Sequence, residues 1–170
     1  MTDRRRSHWA WGFEDRLPDD VGRAQIAKMA GALLQLGSQV PLAPRPLPTL
    51  EDARVSPSRL AVPPALAAFV VADDEARIRH TYGRAFPDLV RGFYGDFSSA
   101  PDLVATPRDE DDIQAALRWA QDQGVAVIPY GGGTSVVGGV EARVGDGFTG
   151  AMSLDLALLD RVLEVDRTSL

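Results

Sequence analysis

The sequence predicts an α+β domain, and three observations carry that prediction. A strand–helix–strand pattern runs from 102 to 128, a loop crowded with glycine leaves its second strand, and two further apolar runs follow at 149–154 and 161–166. Parallel strands need a crossover connection, and a helix is its usual form. The bulk numbers agree: 45% apolar and 25% charged residues over 170 positions is the composition of an ordinary globular domain with a real core.

The same numbers exclude several functions. A net charge of −6 is the wrong sign for a nucleic-acid binder. With no cysteine there can be no disulfide or thiolate metal site, and His8 and His80 are too few for a histidine cage. The longest mainly apolar window, 60-LAVPPALAAFVVA-72, is too short to span a bilayer and carries two prolines. The 4-RRR-6 run precedes 7-SHWAWGFEDR-16, which is no apolar signal core, so a soluble cytoplasmic protein is the expectation. Lys28 is the only lysine, and that arginine bias suggests a GC-rich, bacterial coding sequence.

Along the chain, residues 1–40 are expected to be an N-terminal helical segment. Ile26, Met29, Ala30, Leu33 and Leu34 recur at helical spacing, and Gly37 is a natural stop. Residues 41–72 are proline-dense and predict an extended connection lying over other structure. Residues 73–170 hold the rest. A helix starts at the Asp73–Asp74 pair, where acidic groups favour a helix N-terminus, and a short helical turn follows around 87–95. Residues 102–106 predict a strand ended by Pro107. Asp109 is the expected N-cap of a helix over 109–124, with Asp112 completing a capping-box variant. Its apolar stripe is Ile113, Ala116, Leu117 and Ala120, and Gly124 ends it. The short β-branched run 125–128 predicts a buried strand. A final strand at 161–166 would leave an open sheet edge, which points to the front part of a longer protein or to a covering partner chain.

The loop 129-PYGGGTSVVGG-139 carries the chemistry. Glycine admits positive φ and lets a ligand approach the main-chain amides closely. Successive N–H groups facing one point make an anion cradle, and Thr134 and Ser135 add hydroxyls. A P-loop would need Gly-Lys-Ser/Thr, and there is no lysine nearby. A nicotinamide-type G-x-G-x-x-G would need a glycine where Val136 stands, and it would have to open a helix. A purely structural turn remains open on spacing alone.

The stretch 101-PDLVATPRDEDDIQAALRWAQDQGVAVIPYGGGTSVVGG-139 resembles the first half of a PCMH-type FAD-binding domain, as in the vanillyl-alcohol-oxidase type of flavoproteins. The resemblance implies FAD as cofactor and Pro129, Tyr130, Gly131, Gly132, Gly133, Thr134 and Ser135 as the residues that hold its diphosphate. It places Leu154 and Asp155 near the cofactor, although Asp155 reads first as a turn or cap residue. Upstream, 9-WAWG-12, 57-PSRL-60 and 77-RIRHTYGRAFPDLVRGFYGDFSSAPDLV-104 resemble the alkyldihydroxyacetonephosphate synthase branch. That branch implies exchange of an acyl group for a fatty alcohol on dihydroxyacetone phosphate. A 2-hydroxyacid oxidase or dehydrogenase of the same fold is the alternative, and a non-catalytic truncated remnant is another.

The resemblance also places the catalytic residues and the domain for a small-molecule or lipid-precursor substrate beyond residue 170. The 170-residue chain alone is therefore expected to be inactive. A homodimer and a membrane-peripheral location belong to the full-length protein in this reading, with no nucleic acid and no transmembrane segment. Lone His80 reads as structural, Trp9 and Trp11 as packing anchors, and 109-DEDD-112 as a helix start rather than a metal site.

Overall fold

The structure, a computed structural model, describes residues 5–35 and 44–169. In chain order its elements are α1 (Asp20–Leu33), β1 (Arg54–Val55), β2 (Val70–Val71), α2 (Asp74–Arg79), α3 (Phe86–Phe93), β3 (Asp96–Phe97), β4 (Leu103–Ala105), α4 (Glu110–Gln123), β5 (Val125–Tyr130) and β6 (Gly150–Asp155). The main sheet has the order β2-β4-β6-β5, and β1 pairs with β3 in a separate two-stranded ladder.

The α+β prediction holds, with one topological refinement. Strands β4 and β5, joined through α4, run parallel but do not touch: β6 lies between them and pairs with both, Val104 opposite Ser153 on one side and Ile128 opposite Ser153 on the other. Strand β2 closes the far edge antiparallel to β4. The β5 edge tolerates Pro129, because proline cannot donate a ladder bond and is confined to such positions.

Local chemistry fixes α4. The Asp109 side chain accepts the Asp112 N–H, and Gly124 ends the helix in the left-handed region at φ 65°. Asp112 does not return the bond to Asp109. Its carboxylate reaches one residue further, to the Arg108 N–H at 3.1 Å and the Arg108 guanidinium at 2.7 Å. Of the apolar stripe, Ala116 and Ala120 are buried and Ile113 packs beside them, whereas Leu117 is 44% exposed. The small alanines let α4 lie close on the sheet, and Leu117 falls outside the contact.

The core joins α4 and the sheet to the proline-dense segment. Leu103, Ala105, Val125, Met152 and Leu154 come from strands, and Leu66 and Val70 from the connection, with Leu60 and Val62 packed against them. Each large side chain fully withdrawn from water contributes roughly 1.5–3 kcal/mol. Asp102 fastens this arrangement: its buried carboxylate accepts from the Arg59 amide at 2.7 Å, the Arg59 guanidinium at 2.7 Å and the Ala151 amide at 2.8 Å. The 57–60 stretch is therefore a structural clasp. Gly150 is required beside it, since a Cβ there would lie 2.6 Å from Leu60 Cδ1 and 2.8 Å from Asp102 Oδ2.

Three expectations need correction. Residues 161–166 form no strand; Val162, Leu163 and Val165 are exposed, and no element of the described chain pairs with them. Trp9 packs edge-on to Phe93 at 5.1 Å, as an anchor should, but Trp11 is 52% exposed. Helix α1 starts at Asp20 and buries none of its side chains, so Ile26, Met29, Leu33 and Leu34 face outward. Its expected stop, Gly37, lies outside the described residues.

Candidate functional site

The glycine loop leaves β5 at the C-terminal ends of β5 and β6, the side on which open α/β sheets receive ligands. Pro129, Gly131, Gly132 and Thr134 are exposed, Ser135 is partly so, and Tyr130 and Gly133 are buried. No hydrogen bond within the described residues uses the N–H of Gly131, Gly132, Gly133, Thr134, Ser135 or Val136. Thr134 Oγ1 is likewise without a bond. Polar main chain with no internal partner has to find one outside the fold, in water or in a ligand.

The loop is held from below. Tyr130 turns its ring inward and donates from its hydroxyl to the Arg79 carbonyl at 3.0 Å; burial pushes its phenol up from the ordinary value. Gly133 sits directly over that hydroxyl at φ 64°, and a Cβ would come within 2.1 Å of it. The Ser135 carbonyl accepts the Arg84 amide at 2.6 Å, across Gly83, where a Cβ would meet the same carbonyl at 2.1 Å. Ser135 Oγ accepts from the Val137 and Gly139 amides, which curls the chain after the loop while leaving the hydroxyl proton to give. Above Gly131 nothing lies within 4 Å, and above Gly132 only ordinary contacts at 3.7 Å. The cradle is open where a ligand would enter and closed where the fold supports it.

Further along, Glu141 ties the returning chain to α3. It accepts from Arg91 at 2.7 Å and Ser99 at 2.9 Å. Burial alone would raise its carboxyl, but these bonds outweigh it and hold the group below the usual carboxylate range.

His80 gains the partner that the sequence did not reveal. Its Nε2 lies 3.0 Å from Asp155 Oδ2, its Nδ1 2.7 Å from the Ala76 carbonyl, and its ring 4.5 Å from the Tyr130 ring. Asp155 also forms the expected turn, accepting the Ala157 amide at 2.9 Å. Strand register explains the meeting, because Asp155 stands opposite Tyr130 at the ends of β6 and β5. Both groups are only partly exposed, so the pair forms part of the floor of the loop.

Two arginines contact the loop. The Arg6 guanidinium donates from Nη1 to the Gly132 carbonyl at 2.7 Å. Buried Arg84 bonds only to carbonyl oxygens, those of Tyr82, Gly83 and Ser7, and burial lowers it from its ordinary value. No sequence signal distinguished these arginines from the others. A separate cleft of about 410 Å³, lined by Arg59, Arg77 and Asp102 among others, is a weaker candidate. Its charged groups are spent on one another and on carbonyls, with Arg77 bound to Pro101, Ser56 and Asp74. No group of metal-ligating side chains occurs among the described residues.

An open run of main-chain amides after a parallel strand, with Arg6 and Arg84 beside it, can hold an anionic ligand. Residues 101–170 match the family described as an FAD binding domain. FAD is accordingly its cofactor, and the unpaired amides and bare glycines fit a diphosphate. The chain is similar to alkyldihydroxyacetonephosphate synthase of Dictyostelium discoideum, at 37% identity over 95 residues, 56% of this chain and 15% of that protein. A solved structure of an alkyldihydroxyacetonephosphate synthase superposes with a TM-score of 0.62 at 29% identity, covering 73% of this chain and 25% of that one. D-2-hydroxyglutarate dehydrogenase of Xanthomonas citri pv. viticola is 34% identical over 115 residues, 66% of this chain and 22% of that protein. The chain thus spans 15% to 25% of the length of these three proteins. No helix among the described residues is long and apolar enough to cross a membrane.

Proposed function

We propose that the chain is the part of a flavoenzyme that grips the diphosphate of FAD, with the amides of Gly131–Ser135 as donors and the Thr134 and Ser135 hydroxyls beside them. The observation that carries this reading is the run of N–H groups from 131 to 136 with no acceptor among the described residues. Pro129 fixes the entry of the loop, and Tyr130 holds it down from inside. His80 and Asp155 brace that floor through the Tyr130 ring. When bound, FAD supplies the electron-accepting centre of the reaction, and the protein's share is to bind and orient it.

For the full-length protein we propose the ether-bond reaction of the synthases: exchange of an acyl group for a fatty alcohol on dihydroxyacetone phosphate. Support comes from the upstream half, since the structural likeness to a synthase extends over 73% of the chain, beyond the matched FAD-binding segment. The acid–base groups and the substrate pocket are proposed to lie C-terminal to residue 170. The arginine bias supports a bacterial source, and a cysteine-free chain suits the cytoplasm. A second reading, oxidation of a 2-hydroxyacid, is favoured by the dehydrogenase likeness over 115 residues. The full-length protein decides between them. Turnover of acyl-dihydroxyacetone phosphate with a fatty alcohol supports the synthase; flavin bleaching by D-2-hydroxyacids without that turnover supports the dehydrogenase.

A further inference from the structure

The N-terminal hairpin and the glycine loop meet at one contact, and that contact has more capacity than it uses. Arg6 presents five N–H donors, of which the bond to the Gly132 carbonyl occupies one. Among the described residues no carboxylate pairs with it. Its neighbours differ: Arg5 pairs with Glu75, and Arg79 with Glu75 and Glu14. Arg6 is exposed, so its remaining donors are reachable from outside.

The hairpin fixes where Arg6 stands. Arg6 bridges Phe13 across the turn, the Ser7 amide donates to the Gly12 carbonyl at 3.0 Å, and Gly12 takes φ 86° to close it. Arg79 Nη1 holds the Arg6 carbonyl at 2.8 Å. Trp9 packs on Phe93 and above Gly92, where a Cβ would lie 2.9 Å from Trp9 Cβ. The Trp-Ala-Trp-Gly motif is thus the frame that sets Arg6 against the loop.

We propose that Arg6 is a direct ligand of the diphosphate held by that loop, a binding residue supplied by the N-terminal hairpin. The inference rests on the FAD reading above and adds a residue to it. The charge pattern supports it. The chain as a whole carries −6, yet Arg6 and Arg84, both without a carboxylate salt-bridge partner among the described residues, flank the same loop. A diphosphate brings the negative charge that this spot lacks, and guanidinium pairs with phosphate oxygens through parallel N–H donors. The alternative role is a brace: Arg6 could serve only to hold the Gly132 carbonyl.

Arg6→Gln separates the two roles, because it keeps an N–H donor for the carbonyl and removes the cation. The test uses the full-length protein stripped of flavin and titrated with FAD and with riboflavin, which has no phosphate. Arg6→Gln is expected to weaken FAD about tenfold or more while leaving riboflavin unchanged, with Arg6→Lys intermediate. The loss should shrink as salt rises, since an exposed ion pair is screened. FAD binding by Arg6→Gln equal to the wild type would overturn the proposal and leave the FAD reading intact. So would an equal loss for riboflavin, which marks a general effect on the fold. A wild-type protein that binds neither flavin would overturn the FAD reading and this proposal together.

Discussion

Single residues in the loop divide into those the fold needs and those it leaves free, and the two groups should respond differently to mutation. Gly132→Leu is expected to leave thermal stability within a few degrees, because a Cβ there would make only ordinary contacts, with Arg6 Nη1 and Thr134 Cγ2 at 3.7 Å, and to abolish FAD retention by filling the cradle. Gly83→Ala should instead disturb the chain itself, since its Cβ would collide with the Ser135 main-chain carbonyl. Flavin absorbance after gel filtration, read beside circular-dichroism melts, separates the two behaviours. Equal destabilisation by both would refute the division. The sequence made Gly131–Ser135 visible as a loop that needs bare backbone. It could not reveal the partners beneath. The contacts from Tyr130 to Arg79, His80 to Asp155 and Arg6 to Gly132 span 51, 75 and 126 positions, and no local pattern encodes them.

At the level of elements, α4 and its flanking strands were legible because their signals are local: a capping aspartate, small residues at helical spacing and a terminating glycine. The insertion of β6 between β4 and β5 was not, since strand order is decided by packing over long separations. The 161–166 run misled for a related reason. Its apolar residues suit a strand, but a strand requires a neighbour, and none is present among the described residues. The clasp at Asp102 yields the prediction for this scale. Asp102→Ala removes the acceptor for Arg59 and leaves the Ala151 amide unpaired inside the sheet, which should cost about 2–3 kcal/mol. Urea denaturation measures it; a change below about 0.5 kcal/mol, the range of an ordinary surface substitution, would show that the clasp is idle.

For the whole molecule, protonation sets the pH range of stability. His8 is buried beside Phe97, and burial, helped by the Arg79 charge, lowers its pKa below the ordinary histidine value. The unfolded chain therefore binds a proton at His8 more readily than the folded one, so stability is full above roughly pH 6.5 and falls as pH drops through that range. Asp102 and Glu141 have the same sign at lower pH. Burial opposes their ionisation, yet their arginine and amide partners hold both carboxyls below the usual range, and their contribution is lost on further acidification. His8→Gln, which cannot titrate, should flatten the decline between pH 7 and 5 and leave the later one in place. An unchanged profile in urea melts across that range would exclude His8 as its source. The exposed apolar groups of α1 and of 162–165 should lead the 170-residue chain to self-associate, and sedimentation velocity is expected to show species above the monomer. A single monomer peak at micromolar concentration would contradict this.

The central claim concerns the amides of 131–136, and hydrogen–deuterium exchange on the full-length protein with and without FAD reads them directly. They should exchange freely without the cofactor, having no acceptor, and slow markedly when FAD binds. FAD bound at full occupancy with exchange at these six positions unchanged would place the diphosphate elsewhere and contradict the account.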